Sequence, residues 1–439
     1  MQCVADLHIH SKYSRACSKE LTLPNVAKMC EVKGINLVST GDFTHPAWFE
    51  HIKSELKEDG EGLYKIKNSP TRFILGTELS CIYKKGGKCR RLHLCVFAPS
   101  IETAEKIIQK LESYNPIPPA LVGGRAVLPP ITGAKIGFNL KSDGRPILGI
   151  DAKNLLELLL EIDESIMMIP AHAWTPWFSV FGSYSGFDSI EECFDDLSPH
   201  IFAIETGLSS DPPMNWRLSA LDKITLISNS DAHSLENLGR EANVFELDAA
   251  ETPNLYMEIR RILKEKDKKK FLYTIEFFPE EGKYHFDGHR LCGVSLEPKE
   301  TKKHKGLCPV CKKPLTIGVL HRVDALADRE NPESKNQIPC KNLAPLKQIV
   351  GAALGVGKTS KKVAVEYQKL IKSGENEFNV LLNLSEERIL KISSPQIAQA
   401  ILNMREGKIK LIPGFDGEYG KIEIFSPSEI KKMSQQSLV

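Results

Sequence analysis

Short apolar runs recur along the first 235 residues, and each of them ends in a histidine or a carboxylate. Seven runs follow this pattern: Val4–His10, Asn36–Asp42, Phe73–Glu78, Arg91–His93, Met168–His172, Ile201–Glu205 and Leu226–His233. Such runs are typical of buried strands. The carboxyl ends of parallel strands converge on one mouth of a barrel, so we expect these polar ends to face one pocket. One polar strand end is ordinary where a strand meets water, so the prediction depends on all seven together.

Helical stretches alternate with these runs. They are Asn25–Val32, Trp48–Leu56, Ala104–Leu111, Leu155–Glu161, Ile190–Leu197 and Leu255–Lys266. Alternation of strand and helix is typical of α/β proteins. The pattern therefore predicts an α/β fold, with a βα barrel rather than a β-sandwich, ending near residue 265.

The side chains at the strand ends have the chemistry of metal ligands. His8 and His10 alternate along one strand, as do Asp231 and His233, so each pair lies on one face. Imidazole and carboxylate together suit zinc, manganese or iron, and a bridging carboxylate such as Glu78 lets two cations lie close together. For a lone His-x-His, an ordinary exposed strand is the alternative. The set as a whole predicts a site for several metal ions.

Two irregular segments interrupt the alternation. Residues 113–150 are rich in Pro and Gly, which predicts either a functional loop at the barrel mouth or disorder. Residues 174–187 follow His172 and contain six aromatic side chains among Gly and Ser. They form either a local core or a surface on which an extruded base stacks. Trp174 and Trp177 are the candidates for stacking.

Charge is divided unevenly along the 439 residues, although the formal total is only +2. Residues 1–257 contain 25 Lys and Arg against 33 Asp and Glu, a net charge of −8. Residues 258–439 contain 33 against 23, a net charge of +10. Because nucleic acid is a polyanion, the second part is the expected contact surface for it.

The chain has the composition expected inside a cell. No apolar run approaches the ~18 residues that suggest a transmembrane helix, and the N-terminus has no signal-peptide pattern. We therefore expect no membrane partner and a cytoplasmic, nucleoid-associated protein. Most of the eleven cysteines lack ligand spacing and are expected to be reduced and buried.

Ligand-type residues in the basic part form two closely spaced pairs: His289 with Cys292, and Cys308 with Cys311. The pairs are separated by fifteen residues. Two such pairs complete a closed tetrahedral shell, which predicts one structural zinc ion. Three residues remain alternatives to His289: Cys340, His304 and His321. Lysines around this module, including Lys302 and Lys303, are expected to contact phosphates.

Residues 352–359 satisfy a relaxed P-loop pattern, but a P-loop needs a buried strand before it. Residues 345–351 are instead predicted as a short helix that begins with Pro345. Gly355, Gly357 and Lys358 then lie at the turn between two helices. This resembles a helix-hairpin-helix, whose glycine turn brings backbone N–H groups close to a DNA phosphate. An ordinary helical bundle is the alternative. A second, weaker helix pair and a small hairpin are predicted to follow.

The strand-end motifs together resemble the polymerase and histidinol phosphatase (PHP) superfamily. The motifs are Asp6–His10, Thr40–Asp42, Glu78, His93, His172 and Ser230–His233. The resemblance implies a distorted seven-stranded βα barrel that binds two or three divalent ions (Zn, Mn or Mg) and cleaves phosphoester bonds. We expect catalysis to depend on His8, Glu78 and Asp231.

The resemblance also implies how the ligands are shared among three ions. The implied sets are His8, His10, Glu78 and Asp231 for one ion, Glu78, His93 and His172 for a second, and Asp42 and His233 for part of a third. The chain departs from the superfamily at Gly41-Asp42, where many members have Asp-His, and at Ala16, where they have another His. His45 is the alternative ligand for the third ion.

Four segments in a fixed order narrow the resemblance: Gly41–Pro46, Ser142–Pro146, the zinc module and Ile317–Val323. Together they resemble the endonuclease Q family, over residues 1 to about 425. This implies a DNA repair endonuclease that nicks 5′ to uracil, hypoxanthine, xanthine or an abasic site, leaving a 3′-hydroxyl and a 5′-phosphate. Some members bind a sliding clamp, but Gln435–Leu438 matches only the first half of a clamp-binding motif.

We therefore predict four parts: a PHP-type barrel at 1–265, a small zinc-ribbon-like module at 266–339, a helical DNA-binding domain at 340–425 and a tail at 426–439. Two other functions use some of the same features. A phosphomonoesterase acting on a small metabolite needs the barrel but not the basic, zinc-bearing part. A non-catalytic nucleic-acid binder needs the basic part but not a full set of barrel ligands.

Overall fold

The computed structural model describes residues 2–114, 120–122, 125–127, 137–247, 252, 254–330 and 337–425. Within the Pro- and Gly-rich segment, residues 115–119, 123–124 and 128–136 lie outside the described residues. The predicted tail at 426–439, with Gln435–Leu438, also lies outside them. In the described parts of the chain, no helix is long and apolar enough to cross a membrane.

Strands and helices alternate through the first 265 residues, as predicted. The strands are β1 (Gln2–Asp6), β2 (Leu37–Ser39), β3 (Lys57–Glu58), β4 (Leu63–Lys65), β5 (Arg72–Lys85), β6 (Lys88–Ala98), β7 (Ala120–Val122), β8 (Arg125–Val127), β9 (Ile147–Leu148), β10 (Met167–Pro170), β11 (Ala203–Glu205), β12 (Thr225–Ile227) and β13 (Ala242–Glu246). The helices are α1 (Leu23–Lys33), α2 (Pro46–Glu55), α3 (Ile101–Ser113), α4 (Ala152–Ile162), α5 (Ile190–Phe194), α6 (Pro212–Asn215) and α7 (Leu255–Glu265). The α/β prediction is confirmed. The helix predicted to reach Leu197 ends at Phe194, because Asp195 has a φ of 55°.

Seven strands follow one another in a closed path, here named the strand ring: β1, β2, β5, β6, β10, β11 and β12. β1 pairs with β2, β2 with β5, β5 with β6, and β6 with β10. The amide of Ala173 then donates to Glu205 O at 2.9 Å, and β11 pairs with β12. A parallel bridge between Ala232 and Ile9 leads back to the end of β1. The seven runs recognised in the sequence supply these seven strands.

Alternate residues of the ring enter two different apolar clusters, as the two-residue period of a strand requires. Leu37, Ile74 and Phe97 belong to one cluster with Ile169 and Ile227. Their chain neighbours, including Val38, Phe73 and Val96, pack in the other cluster with apolar residues of α1 to α4. The ring is therefore filled by one set of side chains and covered by helices through the other.

The expectation that all seven runs end at parallel strand termini is wrong for two of them. β5 and β6 form one antiparallel hairpin, so His93 lies within β6 and Glu78 lies within β5. Gly86 and Gly87 join the two strands with φ values of 60° and 74°. A two-residue turn with positive φ at both positions suits the twist of a hairpin and favours glycine. The turn therefore returns β6 beside β5, and His93 arrives next to Glu78 from the opposite direction.

The second part of the chain is attached to the same sheet. Its strands are β14 (Phe271–Glu276), β15 (Asp287–His289), β16 (Val294–Leu296), β17 (Cys340–Asn342), β18 (Lys410–Ile412) and β19 (Lys421–Glu423). β13 pairs with β1 and β14, and β14 pairs with β17. The sheet thus runs across the predicted boundaries at 265 and 339.

Helices form most of the remaining described chain. They are α8 (Pro298–Lys303), α9 (Val319–Leu326), α10 (Leu346–Leu354), α11 (Lys361–Gly374), α12 (Glu386–Ile392) and α13 (Pro395–Arg405). α10 precedes Gly355, so a helix stands where a P-loop needs a strand. Both predicted helix pairs and the terminal hairpin of β18 with β19 are present. A buried ion pair of 2.8 Å between Lys33 and Glu377 joins α1 to this helical region.

Candidate metal centre

Histidines and carboxylates converge at one end of the strand ring. Three linked groups have ligand atoms within 4.8 Å of one another: His8, His10 and Glu78; His10, Asp231 and His233; and Glu78, His93 and His172. A further group joins His8 to Cys95 and Glu205. Glu78 and His10 each belong to two groups, so the three groups form one continuous set. We call these seven residues the ligand cluster. The sequence predicted all seven of them.

Glu78 lies at the middle of the ligand cluster. Its Oε1 is 2.8 Å from His93 Nδ1 and 3.2 Å from His172 Nε2. Its Oε2 is 3.4 Å from His10 Nε2, which lies 3.0 Å from Asp231 Oδ1. One carboxylate therefore faces imidazoles from three strands, which is the geometry of a carboxylate that bridges two cations.

The donor atoms fit divalent metal ions. His8 Nε2 is buried and has no hydrogen-bond partner among the described residues. It lies 3.7 Å from Glu78 Oε1 and 3.8 Å from Asp231 Oδ1, beyond hydrogen-bonding distance but facing both carboxylates. A buried polar atom without a partner costs about 1–3 kcal/mol, and a bound cation would satisfy it. Imidazole and carboxylate oxygen are ligands for zinc, manganese and related ions.

Glu205 orients His8 and was missed as a site residue, although its strand was recognised. Its Oε2 accepts from Asn229 Nδ2 and lies 2.9 Å from His8 Nδ1. Its Oε1 accepts from the backbone amide of His172 at 3.0 Å. Hydrogen bonding at Nδ1 leaves His8 Nε2 as the ligand atom. A strand end in the same series as Glu78 was the available signal.

Asp42 contacts the ligand cluster through His10. Its Oδ1 is 3.1 Å from His10 Nδ1, and its Oδ2 accepts from the Ser11 amide and from the hydroxyls of Ser11 and Ser14. Both oxygens are thus engaged, and Asp42 stands behind His10 outside the three ligand groups. Asp42 is therefore placed to orient His10, and its role as a direct ligand of a third ion stays a prediction. His45, the alternative, stacks on Tyr13 at 4.3 Å.

Arg145 is a second residue that the sequence reasoning did not assign. Its Nη1 lies 3.1 Å from Glu78 Oε2, and its side chain is about one quarter exposed, at 23%. Gly144 permits this approach, because a Cβ there would lie 2.3 Å from Asp42 Oδ2. The segment Ser142–Pro146 was recognised as a motif, but only the fold places it over the ligand cluster.

Burial and neighbouring charges shift the pKa values of the site residues in opposite directions. Burial alone would raise the pKa of Glu78, but His93, Arg145 and His8 hold it well below its usual range. Burial opposes protonation of His10, yet Asp42 and Asp231 raise its pKa to about 9. Burial lowers the pKa of His93 to about 4 against the pull of Glu78. Glu78 is therefore held as a carboxylate at neutral pH, whereas the raised pKa of His10 favours its protonated form while no cation is bound.

Three site residues have backbone in the left-handed region. The φ values are 48° for Asp42, 30° for His172 and 46° for Asp231. Such conformations cost roughly 1–3 kcal/mol each in residues other than glycine and concentrate at functional sites. The surrounding hydrogen bonds, such as Arg240 Nε to Ser230 O at 2.8 Å, hold the loop of Asp231 in place.

A second ligand group, here named the Cys/His cluster, lies in the basic part of the chain: His289, Cys292, Cys308 and Cys311. Their ligand atoms lie within 4.8 Å of one another, which is the set predicted for structural zinc. Of the alternatives to His289, His321 Nδ1 is 2.5 Å from Asp287 Oδ2, and Cys340 lies in β17. The geometry therefore favours His289.

The two candidate stacking residues have different surroundings. Trp174 is 1% exposed, packs on Phe181 and donates from Nε1 to Asn215 Oδ1 at 2.7 Å. The prediction that Trp174 stacks on a base is wrong, because its indole is part of the core. Trp177 is 38% exposed and stacks on Tyr184 with a 4.7 Å centroid distance. Its carbonyl accepts from the Thr175 hydroxyl, which also contacts His172 Nδ1 at 3.2 Å.

The predicted phosphate-binding residues also differ among themselves. Lys302 Nζ pairs with Asp324 at 2.7 Å and Lys303 Nζ with Glu300 at 2.6 Å, so both ammonium groups have carboxylate partners. Gly355, Gly357 and Lys358 are exposed at the turn between α10 and α11. All three predicted lysines are exposed, and Lys302 and Lys303 differ from Lys358 in their ion pairs with Asp324 and Glu300.

The α/β fold and the linked histidine and carboxylate groups define a metal-dependent enzyme. Over 98% of its length, the chain matches the crystal structure of the lesion-specific endonuclease PfuEndoQ from Pyrococcus furiosus, with a TM-score of 0.81, 30% identity and 99% of that chain covered. The chain belongs to the endonuclease Q family.

The chain is also similar to a second solved structure, to a protein of Methanocaldococcus jannaschii and, in part, to a family model. A structure of endonuclease Q in complex with a 27-mer duplex carrying an abasic lesion at the active site matches over 98% of each chain, with a TM-score of 0.80 and 31% identity. The uncharacterized protein MJ0043 of Methanocaldococcus jannaschii is 32% identical over 280 residues, which are 62% of this chain and 34% of that protein. The chain thus spans about a third of this relative's length. Residues 345–408 match the family model described as the MJ0043 C-terminal domain.

Proposed function

We propose that this protein is a metal-dependent DNA repair endonuclease that nicks the phosphodiester on the 5′ side of a deaminated base or an abasic site. Uracil, hypoxanthine and xanthine are the proposed bases, and the products carry a 3′-hydroxyl and a 5′-phosphate. The observation that carries the proposal is the ligand cluster, with Glu78 between two groups of imidazoles and the unpartnered His8 Nε2 facing two carboxylates. The chain is also similar to a lesion-specific endonuclease and to an endonuclease Q bound to a duplex with an abasic lesion. This similarity supports damaged DNA as the substrate class.

The strand ring, proposed as a distorted seven-stranded PHP-type barrel over residues 1–265, would supply the chemistry. His8, His10, Glu78, His93, His172, Asp231 and His233 would hold two or three divalent ions. Such ions, when bound, lower the pKa of a coordinated water and neutralise charge that develops on the phosphate and the leaving oxygen. Glu205 holds the tautomer of His8, and Asp42 holds the ring of His10. Arg145, whose Nη1 lies 3.1 Å from Glu78 Oε2, would contact a phosphate oxygen at the same mouth.

The remaining parts would hold the DNA. We assign residues 266–339 to a zinc-ribbon-like module whose Cys/His cluster binds one structural zinc. We assign residues 340–425 to a helix-hairpin-helix-like domain in which Gly355, Gly357 and Lys358 approach the backbone. Extrusion of a base costs a few kcal/mol, least for a mismatched or damaged base, which gives selectivity. The exposed Trp177 and Tyr184 pair offers an aromatic surface near His172 for a displaced base.

A cleavage assay with matched duplexes tests the proposal. Labelled duplexes that differ only in one uracil, hypoxanthine, abasic site or thymine are incubated with manganese or magnesium, and with a chelator as control. We expect one metal-dependent nick immediately 5′ to the lesion and none at thymine. Asp231→Ala, purified in the same way, is the matched control for a contaminating nuclease. Release of phosphate from small phosphomonoesters without nicking of any duplex would contradict the proposal and favour a metabolite phosphatase.

A further inference from the structure

The β5–β6 hairpin extends beyond the ligand cluster and presents two different faces. Registered partners share a face, so Glu78, His93, Arg91, Lys84 and Cys89 lie on one side. This side carries ligand-cluster residues at its inner end and cations at its outer end. Ser80 and Ile82 share this side, and the residues that alternate with these in the two strands point to the other side.

The opposite face of the hairpin is anchored to the protein. Lys85 Nζ donates to Cys193 O at 2.9 Å. Arg90 is 5% exposed, lies 3.9 Å from the Phe187 ring centroid, donates to Gly186 O and pairs with Glu192 at 2.9 Å. These contacts hold the hairpin so that its tip stands in a fixed position. Lys85 and Arg90 are therefore used to position the hairpin, whereas Lys88, the third cation on this side, is exposed.

The cations on the ligand-cluster face have no carboxylate partner among the described residues. Lys84 is exposed and makes no ion pair in the part of the chain that the structure describes. The Arg91 guanidinium lies 5.8 Å from the ring centroid of Phe178, which packs on His93. Outward along this face, the ligand His93 is therefore followed by the cations Arg91 and Lys84, with Ile82 opposite Arg91 and Cys89 opposite Lys84.

We infer that this face of the hairpin is a contact surface for the sugar-phosphate backbone of the DNA strand that is cut. The inference rests on the proposed function and adds a surface from the acidic half of the chain, which has a net charge of −8. At about 3.4 Å per residue, Lys84 lies roughly 14 Å beyond His93. This is less than half of a DNA helical turn of about 34–36 Å, so a duplex held at the metal centre passes the tip. Positive charge without an internal partner, continuous with the cleavage site, fits a phosphate backbone.

The salt dependence of binding tests this surface separately from cleavage. Each phosphate contact contributes about 0.9 to the slope of log affinity against log salt. We expect Lys84→Ala to lower the slope for an abasic duplex by about 0.9 and to lower the slope for an undamaged duplex equally. Lys84→Arg should retain the wild-type slope. The matched control is Lys67→Ala, because Lys67 is also exposed but lies before the start of β5, at the other end of the strand.

A neutral methylphosphonate, placed at successive positions of the cut strand, locates the contact. Substitution of one particular phosphate, at a distance from the nick, should lower the affinity of the wild type. The same substitution should not lower the affinity of Lys84→Ala any further. An unchanged salt slope in Lys84→Ala, or an equal decrease in Lys67→Ala, would overturn the inference. If the wild type nicks no lesion at all, the proposed function fails, while the slopes still report whether the hairpin binds DNA.

Discussion

The ligand cluster and the Cys/His cluster use side chains that bind metals, but they are built differently. The ligand cluster joins residues from five strands or strand ends, and two of its histidines, His8 and His10, are held from behind by Glu205 and Asp42. The Cys/His cluster joins two short turns close in sequence, and three of its four ligands are thiols. A site that shares a carboxylate between imidazole groups can bind several ions and leave positions for substrate, whereas four closed ligands serve structure. The difference predicts where a substitution affects chemistry and where it affects stability.

The largest effect is expected from Asp231→Ala. Asp231 belongs to the ligand cluster, so its loss should reduce cleavage at saturating DNA by more than the ~10- to 100-fold that is typical of a residue behind a ligand. Single-turnover nicking of an abasic duplex measures this, with metal content and melting temperature as controls for folding. A variant with near wild-type cleavage and a lower metal content would contradict the role of Asp231.

A smaller effect is expected from Glu205→Gln. The amide retains the volume of the carboxylate but weakens the hold on His8 Nδ1, so metal affinity or cleavage should fall by ~10- to 100-fold. Titration of the metal-free protein with Mn²⁺ measures the affinity directly. Added metal should restore part of the activity in Glu205→Gln but none in Asp231→Ala. Equal failure of rescue in both would place Glu205 among the ligands.

The pH dependence of metal binding is the third test. The pKa of His10 is raised to about 9 in the metal-free protein, so a proton must leave before His10 binds a cation. Apparent affinity should therefore rise from pH 7 to pH 9 by up to ~10-fold per unit for each proton released, and level off above that. Asp42→Asn removes one charge that raises this pKa. The rise in metal affinity of this variant should therefore occur at lower pH than in the wild type. Affinity that is independent of pH would contradict the assignment of His10.

The smallest effect on chemistry is expected from Cys308→Ser. Cys308 is buried in the Cys/His cluster, and structural zinc sites contribute folding energy directly. We expect a lower melting temperature and weaker DNA binding, with cleavage at saturating DNA reduced less than in Asp231→Ala or Glu205→Gln. Metal analysis should show the loss of one zinc per chain. A loss of cleavage as large as that of Asp231→Ala, in a folded variant, would contradict the division between the two clusters.

Residue types and spacing were sufficient to predict the seven ligand-cluster residues, because strand alternation and strand ends restrict where such side chains point. The same reasoning was wrong for the direction of β6, since a strand pattern does not contain its direction. It also placed Trp174 and Trp177 together, whereas the fold buries one indole and exposes the other. Lys302 and Lys303 were predicted to contact phosphates, but in the fold they form ion pairs with Asp324 and Glu300.

The sequence by itself determined the alternation of strands and helices, the types of ligand and the closely spaced Cys/His pairs, because these follow from local periodicity and spacing. The tertiary structure decided which distant residues meet. Glu205 reaches His8 across 197 positions, and Arg145 reaches Glu78 across 67. The Gly86-Gly87 turn decided that His93 approaches Glu78 from an antiparallel strand and that Lys84 shares its face. Such contacts depend on the closure of the strand ring, which no local pattern specifies.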